Sequence, residues 1–266
     1  MEQISKLPAD SFVENIKEGT VMKVDFATDT GAVRSSNQDA CSCGLFPGGG
    51  AWAVVCDGMG GANGGNIASA IAVERIEGLL KSGYRENMSP GNIKSMIINA
   101  VLRANTAIYQ RAAEEAGLQG MGTTAVVMLA VKNRLYVAHV GDSRAYLKSR
   151  DGIRQLTMDH SYVQNLVNFG QITKEEARTH PRRNIITRVL GVHDDVNVDY
   201  AAWDFAAGDM ALACTDGLTN YADEDLLEEY TDRHSGDSGA LIHELIRFAI
   251  DSGGSDNITI AVVDNI

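Results

Sequence analysis

Residues 124–148 read TAVVMLAVKNRLYVAHVGDSRAYLK, and three strand-like segments follow one another there with no helix between them. The segments are rich in Val, Ala, Leu and Tyr and are bounded by Gly, Asp or Asn. Two long helical patterns stand together earlier in the chain, one over about 66–82 and one from Ser89-Pro90 onward. Paired strands and paired helices, rather than strict alternation, favour an α+β sandwich over a doubly wound parallel sheet.

The other predicted elements extend this pattern along the chain. Predicted strands cover 22–27, 51–56, 124–131, 134–140, 144–148, 196–203, 209–214 and 257–263. A late helix is predicted over 238–251, where Leu241, Ile242 and Leu245 recur at helical spacing. No repeat, low-complexity tract or Pro/Ser-rich linker interrupts these elements, so we expect a single domain.

Composition excludes several classes of function. The 266 residues include 35 Asp+Glu and 23 Lys+Arg, which gives a net charge of -12. This acidic excess argues against a general nucleic-acid binder and against an anionic membrane surface as the main partner. Residues 1–25 lack the apolar core of a signal peptide, and the longest apolar run, 124–131, is far shorter than the ~20 residues of a membrane helix. The four cysteines include no second pair at zinc-site spacing. We expect a monomeric, cytoplasmic protein.

Three familiar motifs are nearly matched but fail. The loop after the strand over 51–56 could bind a dinucleotide, but Asn63 replaces the third glycine. Residues 60–65 have phosphate-loop spacing without the required Lys-Ser/Thr. Residues 141–145 lack the second glycine of a serine-hydrolase elbow. The chemistry must therefore come from other residues.

Aspartates recur at the ends of the predicted strands, in the segments VVCDG, HVGDS, ACTDG and GGSDN, and in SNQDA before a short segment around Cys41. These aspartates are Asp39, Asp57, Asp142, Asp216 and Asp256. A single Asp-Gly is typical of a turn, but strand ends of a sandwich lie close together, so five aspartates there predict one cluster. Clustered carboxylates repel unless a cation compensates them, and oxygen ligands without His or Cys select Mg²⁺ or Mn²⁺. The residues alone thus predict a metal-assisted hydrolase or transferase acting on phosphate.

The chain also carries an ordered set of motifs from about Val21 to Asp264: RSSNQD, VVCDGMGG, GTTAV, AHVGDSRAYL, LTMDHS, NIITRVLG, CTDGLTNY and GGSDNITI. This set resembles the bacterial branch of the metal-dependent (type 2C, PPM) serine/threonine protein phosphatases. The resemblance implies a four-layer αββα sandwich, in which two antiparallel β-sheets are flanked by helix pairs and the metal site lies in a cleft at one end. It implies a phosphatase domain over 21–266, a flap at about 161–190, and an N-terminal extension over 1–20.

The resemblance also implies a set of metal ligands. Asp57 resembles the carboxylate that bridges two Mn²⁺ or Mg²⁺ ions, and the Gly58 carbonyl resembles a ligand of the second ion. Asp216 and Asp256 match the remaining ligands of the first ion, and Asp39 matches an acid that holds metal-bound water.

A third ion and the substrate contacts are implied in the same way. Asp142 resembles a ligand of a third, weaker ion, completed by Asp216. Arg34 resembles the arginine that binds the substrate phosphate, for which a bidentate guanidinium is suited; the alternative is a surface salt bridge. The flap has a net charge of +3, so Arg182 and Arg183 are predicted to contact an acidic phosphopeptide, the alternative being solvated surface arginines.

Two positions depart from the family pattern. Met59 stands where some members carry a His that could act as general acid, and Gln38 stands where others carry a Glu that contacts the second metal. His139 and His160 are conceivable substitutes for the acid, although we expect structural roles for both. Asn257 is expected to orient Asp256, with capping of the following strand as the alternative.

The predicted activity is hydrolysis of phosphoserine and phosphothreonine by direct attack of a hydroxide that bridges two metal ions. Its substrates would be proteins phosphorylated by a serine/threonine kinase. Two alternatives stay open: a catalytically weak, phosphoprotein-binding regulator of the same fold, and a metal phosphatase acting on a small metabolite.

Overall fold

The computed structural model describes residues 21–266, with residues 62 and 63 described by their backbone alone. The predicted extension over 1–20 lies outside the described residues. The strands are β1 (Met22–Asp29), β2 (Ala40–Phe46), β3 (Gly50–Cys56), β4 (Gly58–Met59), β5 (Gly122–Thr123), β6 (Ala125–Val131), β7 (Arg134–Val140), β8 (Arg144–Ser149), β9 (Gly152–Gln155), β10 (Asp199–Asp204), β11 (Met210–Cys214) and β12 (Ile258–Asn265). The helices are α1 (Gly61–Gly83), α2 (Pro90–Glu114), α3 (Tyr162–Asn168), α4 (Lys174–Thr179), α5 (Asp216–Thr219), α6 (Glu224–Arg233) and α7 (Ser238–Asp251).

The strands form two five-stranded antiparallel sheets. One sheet has the order β1-β12-β11-β8-β9 and the other has the order β10-β7-β6-β3-β2, while β4 and β5 form a short pair of their own. The β6–β7 hairpin closes at the pair Val131↔Arg134 through Lys132-Asn133, and Lys132 has a φ of 55°. A left-handed residue in a two-residue loop matches the twist of the two strands, which fixes their register.

Three hydrophobic cores separate four layers. In β3, Trp52 and Val54 face the core that is formed with α1 and α2, whereas Ala53 and Val55 face the core between the two sheets. A third core lies between the other sheet and α7, where Leu212 packs with the helix. Because side chains alternate along a strand, a strand buried on both faces is apolar throughout. This explains the continuous apolar runs of the sequence.

The predicted four-layer αββα sandwich is confirmed. Each strand and helix predicted within 21–266 is present, and the ends move by a few residues; α1, for example, begins at Gly61 rather than near 66. Residues 161–190, the predicted flap, contain α3 and α4, which the sequence did not predict as helices; the name flap is kept for this segment. No helix among residues 21–266 is both long and apolar enough to cross a membrane.

Candidate metal centre

The five predicted aspartates come together at one end of the sandwich. Asp57 follows β3, and its charge interacts with the other four, which lie at the ends or starts of strands from both sheets. We call this group the acid cluster: Asp39, Asp57, Asp142, Asp216 and Asp256. Burial raises the pKa of Asp57 well above its ordinary value, and repulsion from the other four carboxylates raises it further. The cluster is therefore an arrangement that a bound cation would stabilise.

Asp39 is held by two hydroxyl groups. Thr215 Oγ1 and Thr259 Oγ1 both donate to Asp39 Oδ2, over 2.9 Å and 2.7 Å. Burial raises the pKa of Asp39 to about 7, although the two hydroxyls favour the charged form. One carboxylate oxygen is thus fixed by protein donors while the neighbouring oxygen is left for a water or an ion.

Two other members of the cluster have buried oxygens without any partner. Asp142 Oδ1 and Asp216 Oδ1 are both buried, and neither accepts a hydrogen bond from any residue that the structure describes. Burial and, after it, repulsion from neighbouring carboxylates raise the pKa of Asp142 to about 8 and that of Asp216 to about 6. An unpartnered buried carboxylate oxygen is costly, and an oxygen-only ligand set suits Mg²⁺ or Mn²⁺. The residues present therefore fit the predicted ions.

The backbone around Asp57 is fixed by three hydrogen bonds while its carboxylate stays available. Thr124 N and Thr123 Oγ1 donate to the Asp57 carbonyl over 2.8 Å and 2.7 Å, and Asp57 N donates to Thr124 Oγ1 over 2.9 Å. Gly58 follows in close backbone contact: a Cβ there would lie 2.1 Å from the Gly65 carbonyl oxygen and 2.4 Å from that of Gln38. Only glycine fits this approach, which aligns the predicted carbonyl ligand.

Arg34 reaches the acid cluster across the end of the sheet. Its Nη2 donates to Asp256 Oδ2 over 2.7 Å, while about half of the Arg34 side chain, 52 %, stays exposed. The predicted phosphate-binding residue thus pairs with a predicted metal ligand. Its exposed part faces solvent, where an anion could reach it.

Asn257 has a function that the sequence did not reveal. Its side chain accepts from Gln38 N over 2.8 Å and donates to the carbonyls of Thr30 and Ser36 over 2.9 Å and 3.0 Å. Its own backbone N–H donates to Asp256 Oδ1 over 2.9 Å, which fits the expectation that it orients Asp256. The side chain, however, secures the loop over 30–38 that carries Arg34. These side-chain contacts join residues more than 200 positions apart in the sequence, and no local sequence pattern predicts them.

The two departures from the family pattern are visible in the geometry. Gln38 Nε2 donates to the Gly61 carbonyl over 2.8 Å, so this side chain is bonded to the start of α1. Met59 is partly exposed beside Gly58 and brings no titratable group. Neither residue adds a carboxylate or an acid to the cluster.

A cavity of about 790 Å³ extends from the acid cluster beneath the flap. Asp142 and Asp216 of the acid cluster line it, and so does Arg183 of the flap. Arg182 instead lies over the Tyr162 ring, with its guanidinium carbon 5.6 Å from the ring centroid. Of the two predicted flap arginines, Arg183 shares a cavity with the acid cluster and Arg182 contacts the flap itself.

A partly buried ion pair beside this cavity was also missed by the sequence reasoning. Arg144 Nε and Nη2 donate to Asp159 Oδ1 and Oδ2 over 2.9 Å and 2.7 Å. Both residues line the cavity. The planar, two-point contact fixes the segment after β9 against the start of β8.

His139, His160 and Asp199 form a separate group, whose candidate ligand atoms lie within 4.8 Å of one another. A positive charge already occupies it, because Arg188 Nη1 lies 2.6 Å from Asp199 Oδ1 and 2.8 Å from His160 Nε2. His139 Nε2 bonds to the carbonyl of Met158 over 2.9 Å. This arrangement agrees with the structural roles expected for the two histidines.

Comparisons with known proteins place the chain in a family. The family model "Protein phosphatase 2C" matches residues 31–244. The serine/threonine phosphatase stp of Listeria innocua is 37% identical over 248 residues, covering 91% of this chain and 96% of the relative. The solved serine/threonine phosphatase PstP/Ppp of Mycobacterium tuberculosis has a TM-score of 0.81 at 34% identity, covering 91% of this chain and 98% of that one. A solved PstP catalytic domain in complex with two manganese ions has a TM-score of 0.80 at 32% identity, covering 93% and 99%. The chain therefore belongs to the protein phosphatase 2C family of serine/threonine phosphatases.

Proposed function

We propose that this protein removes phosphate from phosphoserine and phosphothreonine side chains of other proteins, using two divalent cations held by the acid cluster. The observation that carries the proposal is the pair of buried, unpartnered oxygens of Asp142 and Asp216 inside a cluster of five carboxylates. Named relatives of the chain are serine/threonine phosphatases, and one solved relative holds two manganese ions.

The ligands follow from the donor set. Asp57, the Gly58 carbonyl, Asp216 and Asp256 would hold the two ions, with Asp39 acting through water. Asp142 and Asp216 would hold a third, weaker ion. The all-oxygen set favours Mn²⁺ or Mg²⁺ over Zn²⁺. When bound, such ions lower the pKa of a water molecule and neutralise charge on a phosphoryl group.

Arg34 binds the substrate phosphate in this proposal. A guanidinium presents parallel N–H donors that match a phosphate, and the exposed half of the side chain is open to one. The phosphate competes with Asp256 for these donors. A cation bound to Asp256 would weaken the Asp256–Arg34 ion pair and free the donors, so cation binding and phosphate binding would favour each other. Arg183, across the cavity, would contact acidic residues that flank the phosphorylated side chain.

Neither of the two candidate imidazoles, nor Met59, supplies a proton to the leaving oxygen. His139 Nε2 donates to a backbone carbonyl, His160 is engaged at both ring nitrogens, and Met59 has no proton to give. The serine or threonine oxygen therefore takes its proton from water.

The finer identity of the partners is part of the proposal. The substrates are proteins phosphorylated by a serine/threonine kinase, and the enzyme acts as a monomer in the cytoplasm. Its four unpaired cysteines agree with a reducing compartment, and its net charge of -12 disfavours nucleic acid and anionic membranes as partners.

The test is release of phosphate from a phosphothreonine peptide with Mn²⁺ and with excess chelator. We expect Mn²⁺-dependent release that Asp216→Asn abolishes, whereas Asp251→Asn, which removes the same charge from the exposed end of α7, leaves it intact. Full activity in chelator or in Asp216→Asn would contradict the proposal. Activity on sugar phosphates but not on phosphopeptides would favour the small-metabolite phosphatase. Phosphopeptide binding without turnover would favour the regulator.

A further inference from the structure

His160 lies where the flap leaves the sandwich, and it holds both backbone polar groups of Gly141. The Gly141 N–H donates to His160 Nδ1 over 3.0 Å, and the His160 N–H donates to the Gly141 carbonyl over 2.9 Å. Gly141 directly precedes Asp142 and has a φ of 112°, and a Cβ there would lie 2.5 Å from Thr124 Cγ2. His160 thus fixes the orientation of the Gly141 backbone, which directly precedes Asp142.

The imidazole can hold Gly141 in only one of its neutral forms. Burial and the neighbouring His139 lower the pKa of His160 to about 4, so the ring is neutral and has a single lone pair. The Gly141 N–H at Nδ1 and the Arg188 guanidinium at Nε2 both require that lone pair. Only one of these two donors can bond to the lone pair.

Counting partners decides between the two tautomers. With the proton on Nε2, Nδ1 accepts from the Gly141 N–H, and the protonated Nε2 lies 3.2 Å from Asp199 Oδ2. Arg188 Nη1 then has no acceptor at Nε2, but it still donates to Asp199 Oδ1 over 2.6 Å and to the Asn197 carbonyl over 3.3 Å. With the proton on Nδ1, the buried Gly141 N–H has no acceptor. A buried donor without an acceptor is costly, whereas Arg188 Nη1 keeps two other acceptors, so the Nε2–H tautomer prevails.

The surroundings keep the ring in this orientation. The His139 ring stacks on it with 4.6 Å between centroids and 13° between planes, and His139 is itself bonded to the Met158 carbonyl. Thr187 N donates to the His160 carbonyl over 2.7 Å, which ties the end of the flap to the same residue. Both histidines are buried.

We propose that His160 is a positioning residue that, as the Nε2–H tautomer, aims the unpartnered Asp142 carboxylate at the third, weaker ion. This inference rests on the proposed function, because it takes Asp142 as an ion ligand. The imidazole acts through the Gly141 peptide and does not itself touch the substrate or the ion.

Two substitutions separate the two ring nitrogens. In His160→Asn, the side-chain oxygen replaces Nδ1 and can still accept from Gly141; in His160→Gln, the amide reaches only the position of Nε2. Titration of each protein with Mn²⁺, in which electron paramagnetic resonance measures the free Mn²⁺, gives the Mn²⁺ affinity of the tight and of the weak sites. We expect the weakest class to lose affinity by about 10-fold or more in His160→Gln, as for other residues that orient metal ligands, and by less than about 3-fold in His160→Asn. The tighter sites should be unchanged in both.

Equal losses in the two variants, or no loss in His160→Gln, would overturn the proposal. A wild-type protein without a weak class of Mn²⁺ site would also overturn it. If that protein still bound two tight ions and had phosphatase activity, the proposed function would stand while this inference failed. Should His160→Gln fail to fold, ¹⁵N NMR of the wild-type histidine rings gives an independent answer. We expect His160 to carry its proton on Nε2 at neutral pH; an Nδ1-protonated ring would refute the inference.

Discussion

Truncation of Asn257 tests whether one buried amide organises the loop that carries Arg34. Asn257 is 4% exposed, and its side chain makes three hydrogen bonds, of 2.8 Å, 2.9 Å and 3.0 Å, to the backbone of residues 30–38. At about 1 kcal/mol net for each bond, Asn257→Ala should destabilise the protein by about 3 kcal/mol. For a chain of this size that corresponds to a fall of about 6–12 °C in melting temperature.

The substitution should also lower the activity of the protein that remains folded. The loop keeps other contacts, because Ala32 N and Val33 N both donate to the Gly254 carbonyl, over 2.8 Å and 3.2 Å. The variant should therefore fold below its melting temperature while Arg34 becomes less well placed. We expect kcat/KM on a phosphopeptide to fall by about 10- to 100-fold, the range found when supporting residues of a metal site are removed.

Asn265→Ala is the matched control. Asn265 is an equally buried asparagine at the far end of β12, where its Nδ2 donates to the Phe205 carbonyl over 2.7 Å. We expect it to melt lower, by about 2–4 °C for one hydrogen bond, with unchanged kcat/KM. The reasoning fails if Asn257→Ala melts within about 2 °C of the wild type, or if its kcat/KM falls no further than that of Asn265→Ala.

Three further predictions follow from the acid cluster, Arg34 and the glycines. Burial holds the folded-state pKa of Asp39, Asp57, Asp142 and Asp216 above the ordinary 3.8, and that of Asp142 reaches about 8, so the folded state binds more protons than the unfolded state. In chelator the melting temperature should therefore fall as the pH rises from about 4 to about 8, and Mn²⁺ should reduce this pH dependence. A melting temperature that rises with pH in chelator would contradict the prediction. Arg34→Lys should raise KM for a phosphopeptide by about 10-fold, because one ammonium cannot replace the two-point contact of a guanidinium. Steady-state kinetics measure this change, and an unchanged KM would exclude phosphate binding by Arg34. Gly217→Ala should abolish folding or lower the melting temperature strongly, because its Cβ would lie 1.9 Å from the Asn257 carbonyl oxygen. Gly78→Ala, at an exposed position of α1 with open space around it, should instead raise the melting temperature slightly, and comparable melting curves for the two variants would refute the contact.

The fold was predictable where local patterns are strong. The central strands are apolar on both faces, and α1, α2 and α7 repeat apolar residues at helical spacing, so their existence follows from the sequence. Strand β2 lies at a sheet edge, where its residues, except Phe46, are only partly buried, and its pattern was correspondingly weak. The flap helices have seven and six residues, too few to show a period.

The acid cluster was predictable for a different reason. Strand ends of a sandwich meet, so aspartates at strand ends had to come together whatever the exact topology. The supporting contacts could not be foreseen in this way, because they join residues that are distant in sequence. Asn257 to Gln38 spans 219 residues, and Arg34 to Asp256 spans 222. Their partners are backbone groups or charges whose positions depend on the completed fold.

The position of the acid cluster has a consequence for the sandwich as a whole. Asp57 follows β3 of one sheet, Asp216 follows β11 of the other, and Asp142 lies on the link from β7 to β8 that crosses between the sheets. Without cations, these buried carboxylates repel one another at the end where the sheets meet. A cation held by Asp57 and Asp216 would replace that repulsion with a shared ligand and join the two sheets at this end. Metal binding and cohesion of the sheets would then be one equilibrium, which is why the pH dependence of melting in chelator reports on the catalytic site.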